Sequence, residues 1–192
     1  MMAELFKQIW TANGDKLSPL SLDSLDSLNL KPSTASFLSI AGLPAYASPY
    51  LSFVQNNTDM YNAINKLTNH YNFLTPEYDK YVAIGTCSNG DVIAINTNNN
   101  DQIVWLEHEN EFTPHFFNSS IESLAECLLA YRKFVETILR ENGEYAYLDC
   151  NFSDQQFEWL KQMLVAADSN VMTEAGFWRS ELETMLAMRQ SK

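Results

Sequence analysis

Basic side chains are scarce in this sequence, which has 12 Lys and Arg against 24 Asp and Glu and a formal net charge of −12. A surface this acidic repels phosphate backbones, so we expect no direct binding to nucleic acid. It also disfavours attachment to an anionic membrane leaflet, so no membrane partner is expected. The same charge favours a soluble protein, or one whose partner is basic.

Cysteines and long apolar runs are also few. The three cysteines, Cys87, Cys127 and Cys150, show no CxxC spacing and cannot all pair with one another. This usage favours a reducing compartment. The first residues, MMAELFKQIW, lack a cationic start followed by a long apolar stretch, and no apolar run approaches the length of a membrane span. The sequence therefore predicts a cytoplasmic protein.

Motifs for cofactors and metals are missing as well. There is no GxGxxG, no GxxxxGK[ST] and no helical HExxH spacing, so we expect neither a cofactor nor a metal. A hydrolase could in principle pair Cys87 with His108 or His115. However, Cys87 ends a predicted strand, with no helix N-terminus behind it to lower the pKa of its thiol. A structural cysteine is the favoured interpretation, and the sequence gives no positive support for an enzyme.

A calcium loop is suggested by spacing alone. Loop positions one, three, five and twelve would be filled by Asn96, Asn98, Asn100 and Glu107. The first position needs a carboxylate and has an amide, and the sixth needs Gly and has Asp101. The flanking residues have the pattern of strands rather than helices, so we expect no calcium site.

The chain has 192 residues, of which 46% are hydrophobic, enough for one domain with a sizeable core. Residues 1–32 are predicted to be a polar lead-in segment, extended or loosely helical between residues 11 and 36. Residues 33–192 are predicted to form a single domain. It opens with a short helix from Thr34 to Ala41, which Gly42 ends. We predict an irregular stretch over residues 43–80, because three prolines interrupt it.

The pattern then changes to the period of two that is typical of strands. We predict strands over Tyr81–Ile84, Asp91–Asn96 and Asp101–His108, joined by an Asn-Gly turn and an asparagine turn. Apolar residues lie on both faces of these strands, which predicts a sheet covered on one side and partly covered on the other. Trp105 is predicted to lie in the core, although an exposed recognition role is the alternative. A loop containing Pro114 follows.

Three helices complete the chain. The first begins at Ser119 or Ser120 and runs to about Glu141, with an apolar stripe at steps of three and four. A capping box of Ser153 and Gln156 begins the second, and the third begins near Thr173. The fold class is therefore α+β: a meandering antiparallel sheet packed against helices, with extra C-terminal helices.

The central stretch resembles the SUKH superfamily of Smi/Knr-like proteins, which includes many bacterial immunity proteins. The similar parts, in order, are FLSIAGLP, Gly85, Asn89-Gly90-Asp91, VIAIN, the asparagine turn, IVWLEHE and FNSSIESLAECLLAYRKFVE. The resemblance covers roughly Ser33 to Glu141. The last two helices, at about 153–190, lie outside it.

This resemblance implies a protein that binds and neutralises a cognate polymorphic toxin and carries no catalytic residues. Many such toxins are nucleases with basic surfaces, for which an acidic inhibitor gains association rate. The expected contacts are exposed acidic residues near the end of the sheet: Asp91, Glu107, Glu109 and Glu111. The alternative for each is an ordinary solvated charge. The competing function is an intracellular scaffold or regulatory binding module on the same fold, with a small Cys/His hydrolase as the third hypothesis.

Overall fold

The computed structural model describes residues 2–55 and 63–191. Within these residues, one sheet contains seven strands, and every strand pair is antiparallel. In chain order the strands are β1 (Tyr46–Ala47), β2 (Leu51–Phe53), β3 (Asn65–Lys66), β4 (Tyr81–Thr86), β5 (Val92–Asn96), β6 (Gln102–Glu107) and β7 (Thr113–Asn118).

In the part of the chain that the structure describes, three longer α-helices follow the sheet, and four shorter ones lie before or between its first strands. In chain order the helices are α1 (Ala3–Thr11), α2 (Leu22–Leu25), α3 (Pro32–Ile40), α4 (Leu67–His70), α5 (Ile121–Asn142), α6 (Asp154–Ala167) and α7 (Phe177–Gln190). The predicted α+β class and the helices after the sheet are confirmed.

The sheet is a meander along most of its width. Its strand order is β1-β2-β4-β5-β6-β7, with β3 pairing beside β2 on the same edge of β4. Short turns join β4 to β5 and β5 to β6, as the sequence predicts. At the first of these turns Gly90 has a φ of 82°, a conformation that glycine adopts without steric cost. The Asn-Gly pair therefore sets the register of the central hairpin.

Apolar residues cover both faces of the sheet, as the alternation predicts. On one face Ile93 and Ile95 belong to the main core, which also contains buried residues of α1, α3, α5, α6 and α7. On the other face Val92 and Ala94 join a smaller cluster with Leu67 of α4. Successive residues of β5 thus point to opposite hydrophobic layers. The sheet is covered on both sides, most heavily on the α5 side.

Two stretches contain strands that the sequence does not reveal. Residues 43–80, predicted to be irregular, hold β1, β2, β3 and α4, and residues 56–62 of this stretch lie outside the described residues. Strands of two or three residues are too short to display an alternating pattern. The predicted loop around Pro114 is the edge strand β7, which pairs only with β6 within the described residues. Proline is tolerated there because an edge strand has one side without ladder partners.

The helix starts follow their capping residues closely. Ser120 caps α5 and Ser153 caps α6, and each side chain accepts a hydrogen bond from the backbone N–H three residues later. The third C-terminal helix begins at Phe177 rather than near Thr173. Before it, the Thr173 hydroxyl donates to the Asn170 carbonyl in a turn, at 2.6 Å.

The N-terminal segment packs against the rest of the chain. Its apolar residues Leu20, Leu25 and Leu28 are buried in the main core, together with side chains of α1. The Lys31 backbone N–H donates to Asp101 Oδ2 at 2.7 Å, which joins the segment to the β5–β6 turn. The sequence predicts an extended or loosely helical segment, and the structure has short helices over much of it.

A buried carboxylate joins the end of β7 to the C-terminal helices. Asp168, just after α6, is almost fully buried. Its oxygens accept hydrogen bonds from the Ser119 N–H at 2.6 Å, the Ser119 hydroxyl at 2.9 Å and the Ser123 hydroxyl at 3.0 Å. Beside it, the Trp178 indole donates to Asn118 Oδ1 at 3.0 Å. This network fixes α6 and α7 against the sheet and the start of α5.

Candidate acidic binding end of the sheet

One row of paired residues crosses six strands and defines an end of the sheet. The row contains Tyr46, Ser52, Thr86, Val92, Leu106 and Pro114. Beyond it lie three connections: residues 48–50 between β1 and β2, residues 87–91 between β4 and β5, and residues 108–112 between β6 and β7. We call this the turn end. All four predicted contact residues lie at it.

Asp91 is at the turn end but is buried, with only 4% of its surface exposed. Its Oδ1 accepts a hydrogen bond from the His108 backbone N–H at 2.9 Å and lies 2.7 Å from His108 Nδ1. The carboxylate therefore ties the β4–β5 turn to the end of β6. The expected exposure of Asp91 is wrong, because a backbone amide and an imidazole from the neighbouring turn surround it.

Glu107 is half-buried and belongs to a small polar cluster. Its Oε2 lies 3.3 Å from His115 Nε2 and accepts a hydrogen bond from Asn110 Nδ2 at 3.1 Å. The His115 ring stacks on Trp105, with 4.4 Å between ring centroids. Trp105 is half-buried against the main core, so the predicted core position is only partly correct. The cluster fixes Glu107 while leaving part of its carboxylate accessible.

Glu109 and Glu111 are exposed, as expected. They lie in the β6–β7 connection, where Glu111 and Phe112 both have a left-handed backbone, with φ of 54°. Buried Phe112 anchors this connection, and the Tyr78 hydroxyl donates to the Glu111 carbonyl at 2.9 Å. The backbone is thus held by apolar packing and a side-chain bond, while both carboxylates point to the surface of a well-anchored turn.

Cys87 and Cys127 are in environments that disfavour a reactive thiolate. Burial and the charge of Asp91 raise the pKa of Cys87, whose thiol lies 3.6 Å from the Asp91 carbonyl oxygen. His108, one of the bases considered, has its Nδ1 against the Asp91 carboxylate instead. Burial also raises the pKa of Cys127 to about 12. This geometry gives the hydrolase hypothesis no support.

The calcium spacing does not correspond to a spatial site. The asparagine turn lies between β5 and β6, whereas Glu107 is at the opposite end of β6. A strand of that length separates them by roughly 15–20 Å. Among the residues that the structure describes, no group of three or more His, Cys, Asp or Glu is arranged to hold a metal ion.

Three exposed tyrosines and one exposed leucine lie at the β1–β2 hairpin and in the α5–α6 loop, which meets that hairpin through Tyr147 and Tyr50, and sequence reasoning missed them. Tyr46, in β1, and Tyr50, in the β1–β2 turn, are 79% and 60% exposed. Tyr145 and Leu148, in the α5–α6 loop, are 62% and 60% exposed. These tyrosines lie in irregular, Pro-rich or polar stretches, where no apolar pattern assigns them to the core. That position in the sequence could have indicated that they are exposed.

A family model for the SUKH-4 immunity proteins matches residues 13–184. The chain belongs to the SUKH-4 immunity protein family. The match confirms the superfamily resemblance and is longer than the 33–141 stretch that carried it, since it includes α6 and most of α7. Family membership supports an immunity role for this chain.

Neither curated proteins nor solved structures gave a significant match to the chain. Across residues 2–55 and 63–191, no helix combines the length and apolar character that crossing a bilayer requires.

Proposed function

We propose that this protein is a cytoplasmic immunity protein that binds a cognate bacterial polymorphic toxin and covers its active site. Its partner is a toxin domain with a basic surface, and a nuclease fits this description. The protein contributes no catalytic group and needs no cofactor. The observation that carries the proposal is the acidic turn end, where Glu107 ends β6 and Glu109 and Glu111 lie on the anchored connection that follows it.

The charge distribution supports a basic partner. Between Lys80 and Arg132 the chain contains no Lys or Arg, and this stretch includes β4 to β7 and both of their turns at the turn end. The carboxylates of Glu109 and Glu111 therefore have no neighbouring cation within their own segment. Such an unbalanced acidic surface raises the rate at which a basic protein is captured.

Asp91 has no direct role in this proposal, because it is buried. Its bond to the His108 backbone instead holds the acidic connection in place. Nuclease substrates are polyanions, so a carboxylate surface can occupy the same basic cleft that would otherwise bind phosphates.

The test is co-expression with the toxin encoded immediately upstream of this chain's gene. The wild-type protein should rescue growth and form a complex that purifies with the toxin. The double variant Glu109→Gln/Glu111→Gln should associate at least about tenfold more slowly, because it removes the charge that steers encounter. The matched control is Asp23→Asn/Asp26→Asn, which removes the same charge from exposed positions in α2 and directly after it, away from the turn end.

Loss of rescue and of complex formation with wild-type protein would contradict the proposed function itself. Equal slowing by both double variants would contradict the acidic turn as the contact, because the two variants change net charge by the same amount.

A further inference from the structure

The structure presents a second exposed surface at the turn end. It consists of the tyrosine patch, which we define as Tyr46, Tyr50, Tyr145 and Leu148. Two of these residues come from the β1–β2 hairpin and two from the loop between α5 and α6. None is needed to fill the core, since each has more than half of its surface exposed.

The two halves of the patch are joined by direct ring contact. The ring of Tyr50 lies 6.0 Å from that of Tyr147, in the α5–α6 loop. Tyr147 in turn packs edge-on against the buried ring of Tyr131, with 6.3 Å between centroids. The hairpin and the loop are therefore held together and fixed to the main core. Rigid aromatic groups lose little conformational entropy when a partner binds them.

The hairpin half of the patch lies at the same end of the sheet as the acidic connection. The turn after β1 and the connection after β6 lie beyond the same row of residues. Three strand spacings separate β2 from β6 in the sheet order, which corresponds to roughly 15 Å. A partner domain of ordinary size covers about 800 Å² on each side, so it can contact both regions at once.

The loop beside the patch is acidic, which suits a cationic partner. Two cations, Lys16 and Arg132, line the same cavity as Tyr46, and Arg132 is paired there with Asp15 and Glu136 at 2.7 and 2.8 Å. The hairpin, residues 44–55, contains no charged residue, and residues 141–160 contain acidic residues but no Lys or Arg. The cation just before this stretch, Arg140, is already paired with Glu141 at 2.7 Å. Tyrosine faces bind Arg and Lys side chains through cation–π contacts, and nearby carboxylates strengthen that preference.

We propose that the tyrosine patch is the energetic centre of the toxin-binding face and that it receives Arg or Lys side chains from the basic surface of the toxin. The acidic connection accelerates encounter, whereas the patch slows dissociation. This inference rests on the proposed function and specifies which surface performs it. Tyrosines surrounded by polar groups are typical of residues that dominate interface affinity.

The experiment measures association and dissociation rates of the complex with the toxin encoded upstream, using full-length variants. Tyr50→Ala and the double variant Tyr145→Ala/Leu148→Ala should each raise the dissociation rate at least about tenfold and leave the association rate within about threefold. The control is Leu22→Ala, whose side chain is 59% exposed, close to the value for Leu148, but lies on α2. It should leave both rates unchanged. Thermal unfolding of each variant checks that it is folded.

A second measurement needs no substitution. Backbone hydrogen exchange of the wild-type complex should slow in residues 143–151 and 46–52 relative to the free protein. Unchanged dissociation rates in the patch variants, or unchanged exchange in these segments, would overturn the inference while leaving the proposed function intact. A wild-type protein that forms no complex with the toxin would instead refute the proposed function.

Discussion

At the scale of single residues, Asp168 is a buried carboxylate that joins the β7–α5 junction to the end of α6. It is buried and accepts hydrogen bonds from two backbone N–H groups and from side chains of the β7–α5 junction. Burial alone would raise the pKa of this carboxyl. The bonds from Ser119, Asn170 and Asn118 outweigh that effect and hold the pKa below its usual value.

The first prediction is that Asp168→Asn destabilises the protein by about 2–4 kcal/mol, measured by urea unfolding. The new amide nitrogen would face donors and leave at least one of them without an acceptor. Asp154→Asn is the control, because Asp154 forms an exposed ion pair with Arg189 that is worth less than about 1 kcal/mol. If Asp168→Asn lowers the free energy of unfolding no more than Asp154→Asn does, the structural role of Asp168 is contradicted.

The same residue gives a prediction for pH. Because the folded pKa of Asp168 is depressed, its contribution to stability is present above the ordinary Asp pKa and is lost as pH falls through the folded pKa. The acid-induced loss of unfolding free energy should therefore be smaller in Asp168→Asn than in the wild type. If the free energy of unfolding falls equally with pH in the wild type and in Asp168→Asn, the depressed pKa of Asp168 is contradicted.

The acidic residues at the turn end show where exposure can be predicted from sequence and where it cannot. The exposure of Glu109 and Glu111 could be predicted, because they lie in a polar connection after a strand. Asp91 looks equivalent in sequence, yet it is buried by a backbone amide and a ring that are seventeen residues away. Burial of a carboxylate depends on distant partners, and no local pattern encodes them.

At the scale of elements, the end of α3 depends on a close approach of two backbones. The Ala41 and Gly42 N–H groups both donate to the Phe37 carbonyl, and Gly42 has a φ of 66°. A Cβ at Gly42 would collide with the carbonyl of Ser18, in the segment that pairs with Leu43. This glycine therefore joins α3 to the N-terminal segment.

We predict that Gly42→Ala lowers the free energy of unfolding by at least about 2 kcal/mol more than Gly14→Ala does, measured by thermal or urea unfolding. Gly14 also has positive φ, at 89°, but an added Cβ there meets nothing within 4 Å. The control thus carries the cost of positive φ alone, about 1 kcal/mol. Equal losses in the two variants would mean that the N-terminal segment moves away without cost.

Elements with long periodic patterns were predictable, and short or edge elements were not. The start of α5, the capping box of α6 and the strands β4 to β6 follow from local sequence, because each repeats its pattern over several residues. The strands β1 to β3 have too few residues for such a repeat. Pro114 in β7 conflicts with strand propensity, and only pairing with β6 makes a strand there stable.

At the scale of the whole molecule, the net charge of −12 should govern the speed of complex formation. We predict that the association rate with the upstream-encoded toxin falls at least about tenfold as ionic strength rises from low to physiological, while the dissociation rate changes much less. Stopped-flow measurements in a salt series test this. The Tyr145→Ala/Leu148→Ala variant should show the same salt slope as the wild type.

A salt-independent association rate would contradict electrostatic steering and leave apolar contact as the main cause of binding.

The net charge of the protein could be predicted from its composition. The sequence did not predict that the acidic connection and the hairpin of the tyrosine patch lie at one end of the sheet. This placement results from the register of six strands and the path of α5.

The two edges of the sheet have a consequence for crowded conditions. One edge ends in β1, a strand of two residues, and the other in β7, which contains Pro114 and packs beside α7 through the stacked rings of Phe117 and Phe177. Within residues 2–55 and 63–191, neither edge offers a long, regular row of free backbone groups on which another chain could add a strand. The described edges are therefore poor templates for strand addition between copies that accumulate in one cell.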